Sequence, residues 1–200
     1  MRTLIIVALL FLSGCSQGVK SYAPDVDPDA AGKAAVRQYD SNGDGKISGP
    51  ELDKAASLKF NLANIDSDND LALTADEIAN RIRCWQTTKM LSTRTPIHCR
   101  IYHNRQPVAG AEIKLVPEKF LGDKMKIVKG ITGPNGVAVL MTEDAEPDDP
   151  PGVGPGFYRV EITKTGENIP AKYNTNTILG LDTAIDIPVI VKGVRFDLEY

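Results

Sequence analysis

The sequence predicts an α+β multidomain chain: an N-terminal helical pair built around two acidic loops, followed by an all-β sandwich of about seven strands. Two observations carry this. The stretches "DSNGDGKISGPE" (40–51) and "DSDNDLALTADE" (66–77) repeat one acidic pattern, offset by twenty-six residues. From Thr95 onward the apolar periodicity shortens to β-rich runs punctuated by Gly, Pro and Asn.

The chain opens with a cation at Arg2, an uninterrupted apolar run from Leu4 to Leu12, then small residues and Cys15. This reads as a secretory signal peptide over residues 1–14, too short to span a bilayer as a mature helix. Leu12-Ser13-Gly14-Cys15 resembles the lipobox of bacterial lipoproteins. The resemblance implies an acylated Cys15, export, and a membrane-anchored protein of the cell envelope, with Ser16 favouring the outer membrane over the inner. Residues 15–28, "CSQGVKSYAPDVDP", lack apolar periodicity and hold two prolines, as a flexible tether does. A helix is expected from about Asp29, with Val36 and Tyr39 on one face.

The first loop matches D-x-[DN]-x-[DN]-G-x5-E throughout. Asp40, Asn42 and Asp44 offer side-chain oxygens, Lys46 its backbone carbonyl, Ser48 a hydroxyl and Glu51 a bidentate carboxylate, while Gly45 permits the left-handed turn. The second loop supplies Asp66, Asp68, Asp70, Ala72, Thr74 and Glu77 in the same order, but Leu71 stands where the glycine is expected. A left-handed leucine costs about 1–2 kcal/mol, so the second loop is expected to bind more weakly, against the pull of four carboxylates instead of three. All donors are hard oxygens in the number that Ca2+ takes. Leu62 and Ile65 precede the second loop as Val36 and Tyr39 precede the first, and Leu73 occupies the position matching Ile47. The pattern resembles the EF-hand, which implies a helical EF-hand pair over residues 29–90. Ile78, Ile82 and Trp85 form one apolar stripe on its last helix.

Charge follows the same division. Residues 24–83 carry twelve acidic and seven basic side chains, a net of minus five, whereas residues 84–200 carry fourteen of each. The negative field favours cations and disfavours nucleic acid as a partner. In an exported chain with Cys15 committed to lipid, Cys84 and Cys99 remain as a possible disulfide, the alternative being two buried thiols.

Within residues 95–200 the runs "PIHCRIYH", "AEIKLVP", "MKIVKGI", "VAVLM", "FYRVEIT", "AIDIPVIV" and "GVRFDLEY" read as strands. In the last, Val194, Phe196, Leu198 and Tyr200 alternate with Arg195, Asp197 and Glu199. The order "PVAGAEIKLVPE", "GITGPNGVAVL", "PGFYRVEI" and "IPAKYN" is similar to the transthyretin-like, or carboxypeptidase-regulatory-like, domain. The whole chain looks like a family of bacterial EF-hand lipoproteins carrying such a seven-stranded sandwich. No nucleophile elbow, zinc-protease motif or phosphate loop occurs, and His98 and His103 are five apart, on opposite faces of a strand. No catalytic residue is therefore assigned and no enzyme activity is expected. The expectation is an exported calcium-binding protein in which the ion is mainly structural. The alternative is a calcium-dependent adhesion or assembly module that binds an envelope protein or glycan through the sandwich.

Overall fold

The computed structural model describes residues 20–143 and 145–200. The expected signal peptide and the acylated Cys15 lie outside the described residues. The helical portion runs through α1 (Pro28–Tyr39), β1 (Lys46–Ser48), α2 (Pro50–Lys54), α3 (Ala56–Phe60), α4 (Leu62–Ile65), β2 (Ala72–Thr74) and α5 (Ala75–Thr87). The Asp27 side chain caps α1 by accepting from the N–H groups of Asp29 and Ala30, and Pro28 occupies the first turn, where a missing N–H costs little. The β-rich portion follows as β3 (Ile97–His103), β4 (Gln106–Pro107), β5 (Ala111–Pro117), β6 (Val128–Ile131), β7 (Val137–Thr142), β8 (Phe157–Lys164), β9 (Gly180–Asp182), α6 (Pro188–Lys192) and β10 (Val194–Leu198).

The predicted α+β arrangement, a helical EF-hand pair followed by a separate seven-stranded sandwich, does not form. The chain is mainly β. One curled eight-stranded sheet runs in the order β10-β3-β7-β6-β5-β8-β9, with β4 beside β3, and the six helices of the described residues are short. All neighbours are antiparallel except β10, which lies parallel to β3. The sheet is sandwich-like because its two ends share a core: Ile97, Cys99 and Ile101 of β3 meet Ile113 and Leu115 of β5, Val160 and Ile162 of β8, and Val194 and Phe196 of β10. The physical reason for the correction lies in the helices. Pieces of four or five residues, such as α2, α3 and α4, bury too little to close a core among themselves. Their second cluster, with Ile47, Leu58, Leu73, Ile78, Ile82 and Trp85, is completed by Phe120, Leu121, Phe157 and Ala184 from the β-rich part. The Trp85 and Phe157 rings sit 4.7 Å apart.

Polar ties cross the same seam. Glu118, fully buried, accepts from Tyr39 Oη and Ser57 Oγ, each at 2.7 Å. Asp182, also fully buried, accepts from Arg81 Nε at 2.8 Å and Asn61 Nδ2 at 2.6 Å, while the rest of the Arg81 fork grips Asp186 at 2.6 and 2.8 Å. Gly180 makes the close approach possible, since a Cβ there would lie 2.2 Å from the Ser57 backbone nitrogen.

Three further expectations are corrected. "AIDIPVIV" forms a turn and α6 in place of a strand: Pro188 takes the first helical turn and Gly193, at φ 104°, ends it. The described part of the expected tether is fastened down, with the Tyr22 N–H donating to the Ser92 carbonyl at 2.7 Å and Gln86 Nε2 donating to the carbonyls of Pro24 and Val26. Cys84 and Cys99 are both free. Cys99 points into the sheet core, where burial pushes its thiol up to about 12, and Cys84 is exposed on α5.

Candidate metal centre

The two loops are built on similar internal hydrogen bonds. In the first, Asp40 accepts from the N–H groups of Gly43 (2.6 Å) and Gly45 (2.9 Å), Asn42 Oδ1 from Asp44 (2.8 Å), and Asp44 Oδ1 from Lys46 (2.9 Å). In the second, Asp66 accepts from Asp70 (3.2 Å) and Leu71 (2.9 Å), and Asp70 from Ala72 (2.9 Å). Each closing glutamate reaches back over its loop. Glu51 accepts from the N–H groups of Ser41 (2.8 Å), Asn42 (3.1 Å) and Ser48 (3.1 Å), and Glu77 from those of Ser67 (2.8 Å) and Thr74 (2.9 Å). Glu77 also completes a capping box with Thr74 at the start of α5, so loop closure and helix initiation use one side chain.

The loops are joined by the β1–β2 ladder, which sets Ile47 opposite Leu73, both fully buried. The same ladder pairs Lys46 with Thr74 and Ser48 with Ala72. Leu71 takes the left-handed turn at φ 62°, as Gly45 does at φ 84°, and Asn69 at φ 59° matches Gly43 at φ 78°. The leucine is accommodated because its side chain points into solvent, 68% exposed. The missing glycine therefore leaves the left-handed turn in place and puts its cost in the backbone.

These turns gather the acids into two clusters. One carboxylate oxygen from each of Asp40, Asp44 and Glu51 lies within 4.8 Å of the other two, and the same holds for Asp66, Asp68 and Asp70. Glu77 is not part of the second trio, and its oxygens are held on Ser67 and Thr74. The clusters are all-oxygen and anionic, and could bind a metal ion. Their electrostatics differ. N–H donors from Ser48 and Ser41 hold the Glu51 carboxyl below its ordinary range. Burial pushes Glu77 upward, but the donors at Thr74 and Ser67 outweigh it and the net direction is down. Burial, together with the neighbouring charges of Asp70 and Glu77, drives Asp68 up, a crowding that a cation relieves.

Two contributions escaped the sequence reading. Lys46, expected to give only its carbonyl, also sends its ammonium across the ladder to Asp70 Oδ2, and this contact holds Asp70 down. The first loop thus supplies a competing cation to the second. Ser41 and Ser67 are the other pair; their shared place after the first aspartate of each loop was the available signal. His98 and His103 both lie on β3, and His103 stacks on Tyr200 with ring centroids 4.1 Å apart. Comparison of the chain with protein-family models, curated proteins and solved structures gave no match in any of the three.

Proposed function

We propose that the chain is a calcium-binding protein in which both loops hold Ca2+ and the ion serves mainly to fix structure. The observation that supports this most is that each loop gathers three carboxylates within 4.8 Å of one another, Asp40, Asp44 and Glu51 in the first and Asp66, Asp68 and Asp70 in the second. Asp40, Asn42, Asp44, Lys46, Ser48 and Glu51 would form one site, and Asp66, Asp68, Asp70, Ala72, Thr74 and Glu77 the other, in the ligand order of EF-hand loops. A divalent cation would neutralise the crowded carboxylates. The stabilisation would pass through β1–β2 and α5 into the seam with the sheet. The opening residues support an exported protein anchored to a membrane through lipid on Cys15, of the bacterial EF-hand lipoprotein kind. Outside a cell, calcium is abundant enough to fill even weak loops, which suits a structural ion. On this reading the chain catalyses nothing.

The test is thermal unfolding of the mature chain with calcium and with chelator. Calcium is expected to raise the melting temperature, and Asp40→Ala with Glu51→Gln to remove most of that rise. An unchanged melting temperature across the titration would sink the proposal.

A second reading, calcium-dependent adhesion or assembly on an envelope protein or glycan, draws on a mostly apolar cleft of about 750 Å³ where Phe60, Leu179, Val189 and Phe196 converge. Calcium that stabilises the fold without altering association with envelope fractions would favour the structural role.

A further inference from the structure

A separate polar hollow lies where α1, α2, the turn Lys119–Leu121, β8 and the segment after Asn174 come together. Its volume is about 490 Å³, inside the range of roughly 300–1,000 Å³ that small-molecule sites occupy. Three cations line it: Lys54, Lys119 and Arg159. The sole carboxylate among its lining residues is Asp53, already paired with Lys59 at 2.6 Å. Glu118 is buried and does not line the hollow; it accepts from the Tyr39 and Ser57 hydroxyls and, at 3.4 Å, from Gln38 Nε2, and it feels the charge of Arg159 without a direct ion pair. Among the described residues, Lys54, Lys119 and Arg159 form no ion pair. The hollow is therefore positive, although residues 24–83, which form one of its walls, carry a net charge of minus five.

Its neutral lining is equally specific. Gln38, Thr175 and Asn176 line the same space; Gln38 Nε2 donates to Glu118 at 3.4 Å and Thr175 Oγ1 to Asn174 Oδ1 at 3.3 Å, which leaves Gln38 Oε1, the Thr175 oxygen lone pairs and the Asn176 amide for a ligand. The wall that carries them is braced from behind: Thr177 Oγ1 donates to the Val160 carbonyl at 2.5 Å, the Asn176 N–H to the Ala171 carbonyl at 2.9 Å, and the Ile178 N–H to the Lys172 carbonyl at 3.0 Å. A braced wall lowers the ordering cost that binding must meet.

We propose that this hollow binds a small polyhydroxylated anion, a sugar acid or a sugar phosphate. Arg159, Lys54 and Lys119 take the charged group, and Gln38, Thr175 and Asn176 take the hydroxyls. A guanidinium meets carboxylate and phosphate with the same planar pair of donors, which is why both sources share one chemistry. Nothing in this assignment requires calcium, so its failure and the failure of the calcium reading are separable.

The experiment is an NMR titration of the mature calcium-saturated chain with galacturonate, glucose 6-phosphate, glucose and inorganic phosphate, each to about 10 mM, a range that detects millimolar affinity. Saturable shifts at Gln38, Thr175 and Asn176 with either anionic sugar support the proposal, and the tighter of the two identifies the source. Equal binding of neutral glucose overturns it, as does inorganic phosphate binding as tightly as both sugars. The double variant Lys54→Ala, Lys119→Ala changes two exposed side chains and should fold. It is expected to weaken binding by about tenfold or more. Arg159→Gln should weaken it further, and if that variant fails to fold, the double variant decides. No shifts with either anionic sugar, or unchanged affinity in the double variant, refutes the site.

Discussion

Replacing Arg81 with methionine isolates the joint between the second loop and the sheet. Arg81 leaves α5, whose first turn carries Glu77, and its guanidinium is divided between Asp182 and Asp186. Methionine keeps much of the aliphatic stem and removes the charge, together with the guanidinium that lies 5.6 Å from the Trp85 ring centroid. Asp182, fully buried, would keep only Asn61 Nδ2 at 2.6 Å and the Ala184 N–H at 3.1 Å. Removing one partner of a buried ion pair costs about 3–5 kcal/mol, and the two surviving donors place this case near the lower figure, about 3 kcal/mol. For a chain of this size that corresponds to a fall of roughly 6–12 °C in melting temperature. Urea unfolding followed by tryptophan fluorescence suits the assay, because Trp85 lies at the seam beside Phe157. Adding Asp182→Asn removes the stranded charge, so the double variant should be less destabilised than the sum of the singles by more than about 1 kcal/mol. An Arg81→Met variant within about 0.5 kcal/mol of the parent, or strict additivity in the cycle, would refute the claim that this buried fork joins the helices to the sheet.

Three other outcomes follow from the same geometry. Burial pushes the Glu118 carboxyl above its ordinary value of 4.5, against the pull of the Ser57 and Tyr39 hydroxyls. The folded chain therefore keeps this proton where the unfolded chain has lost it. The stabilisation is full below the unfolded value and is lost as pH rises through the folded one. Glu118→Gln should flatten that part of the stability–pH profile, and identical slopes would contradict it. Leu71→Gly relieves a left-handed leucine worth about 1–2 kcal/mol, less some gain in unfolded-state entropy, so stability in saturating calcium should rise by up to about 1 kcal/mol. A loss of stability would mean that the leucine makes contacts its exposure conceals. Lys46→Met frees Asp70 from a competing cation and should tighten calcium binding at the second loop by up to about fivefold, the scale of an exposed ion pair. Weaker binding there would show that Lys46 supports the site.

Much of the loop architecture was legible because loops of this kind are local. The ladder partners Ile47 and Leu73 and the buried stripe of Ile78, Ile82 and Trp85 all lie within one span of about 40 residues, and the structure places each as the pattern implies. The strand runs up to "FYRVEIT" were readable from β-rich composition and the turns between them, and Val194, Phe196 and Leu198 from alternation. The final apolar run was not, since "IPVIV" fits a buried strand and a single helical turn equally well until Pro188 and Gly193 are seen to bracket it. β9 is only Gly180–Asp182, and its role against Ala56 and Ser57 depends on packing that no period records. The largest miss, two separate units where one seam exists, has a chemical origin. Glu118, Arg81 and Asp182 carry no apolar period that would mark them in sequence, and charged residues are seldom buried, yet all three are buried where helices and sheet meet. The acidic trio of the second loop was legible, but the reach of Lys46 to Asp70 was not, because it depends on the side-chain direction across the ladder.

Calorimetric titration of the chelator-treated mature chain with calcium addresses the central claim most directly. Two binding events per chain are predicted, one for each loop, with the tighter one lost in the Asp40→Ala, Glu51→Gln variant and the weaker one in Asp66→Ala, Glu77→Gln. A titration with no heat beyond dilution, alongside an unchanged melting temperature, would contradict it.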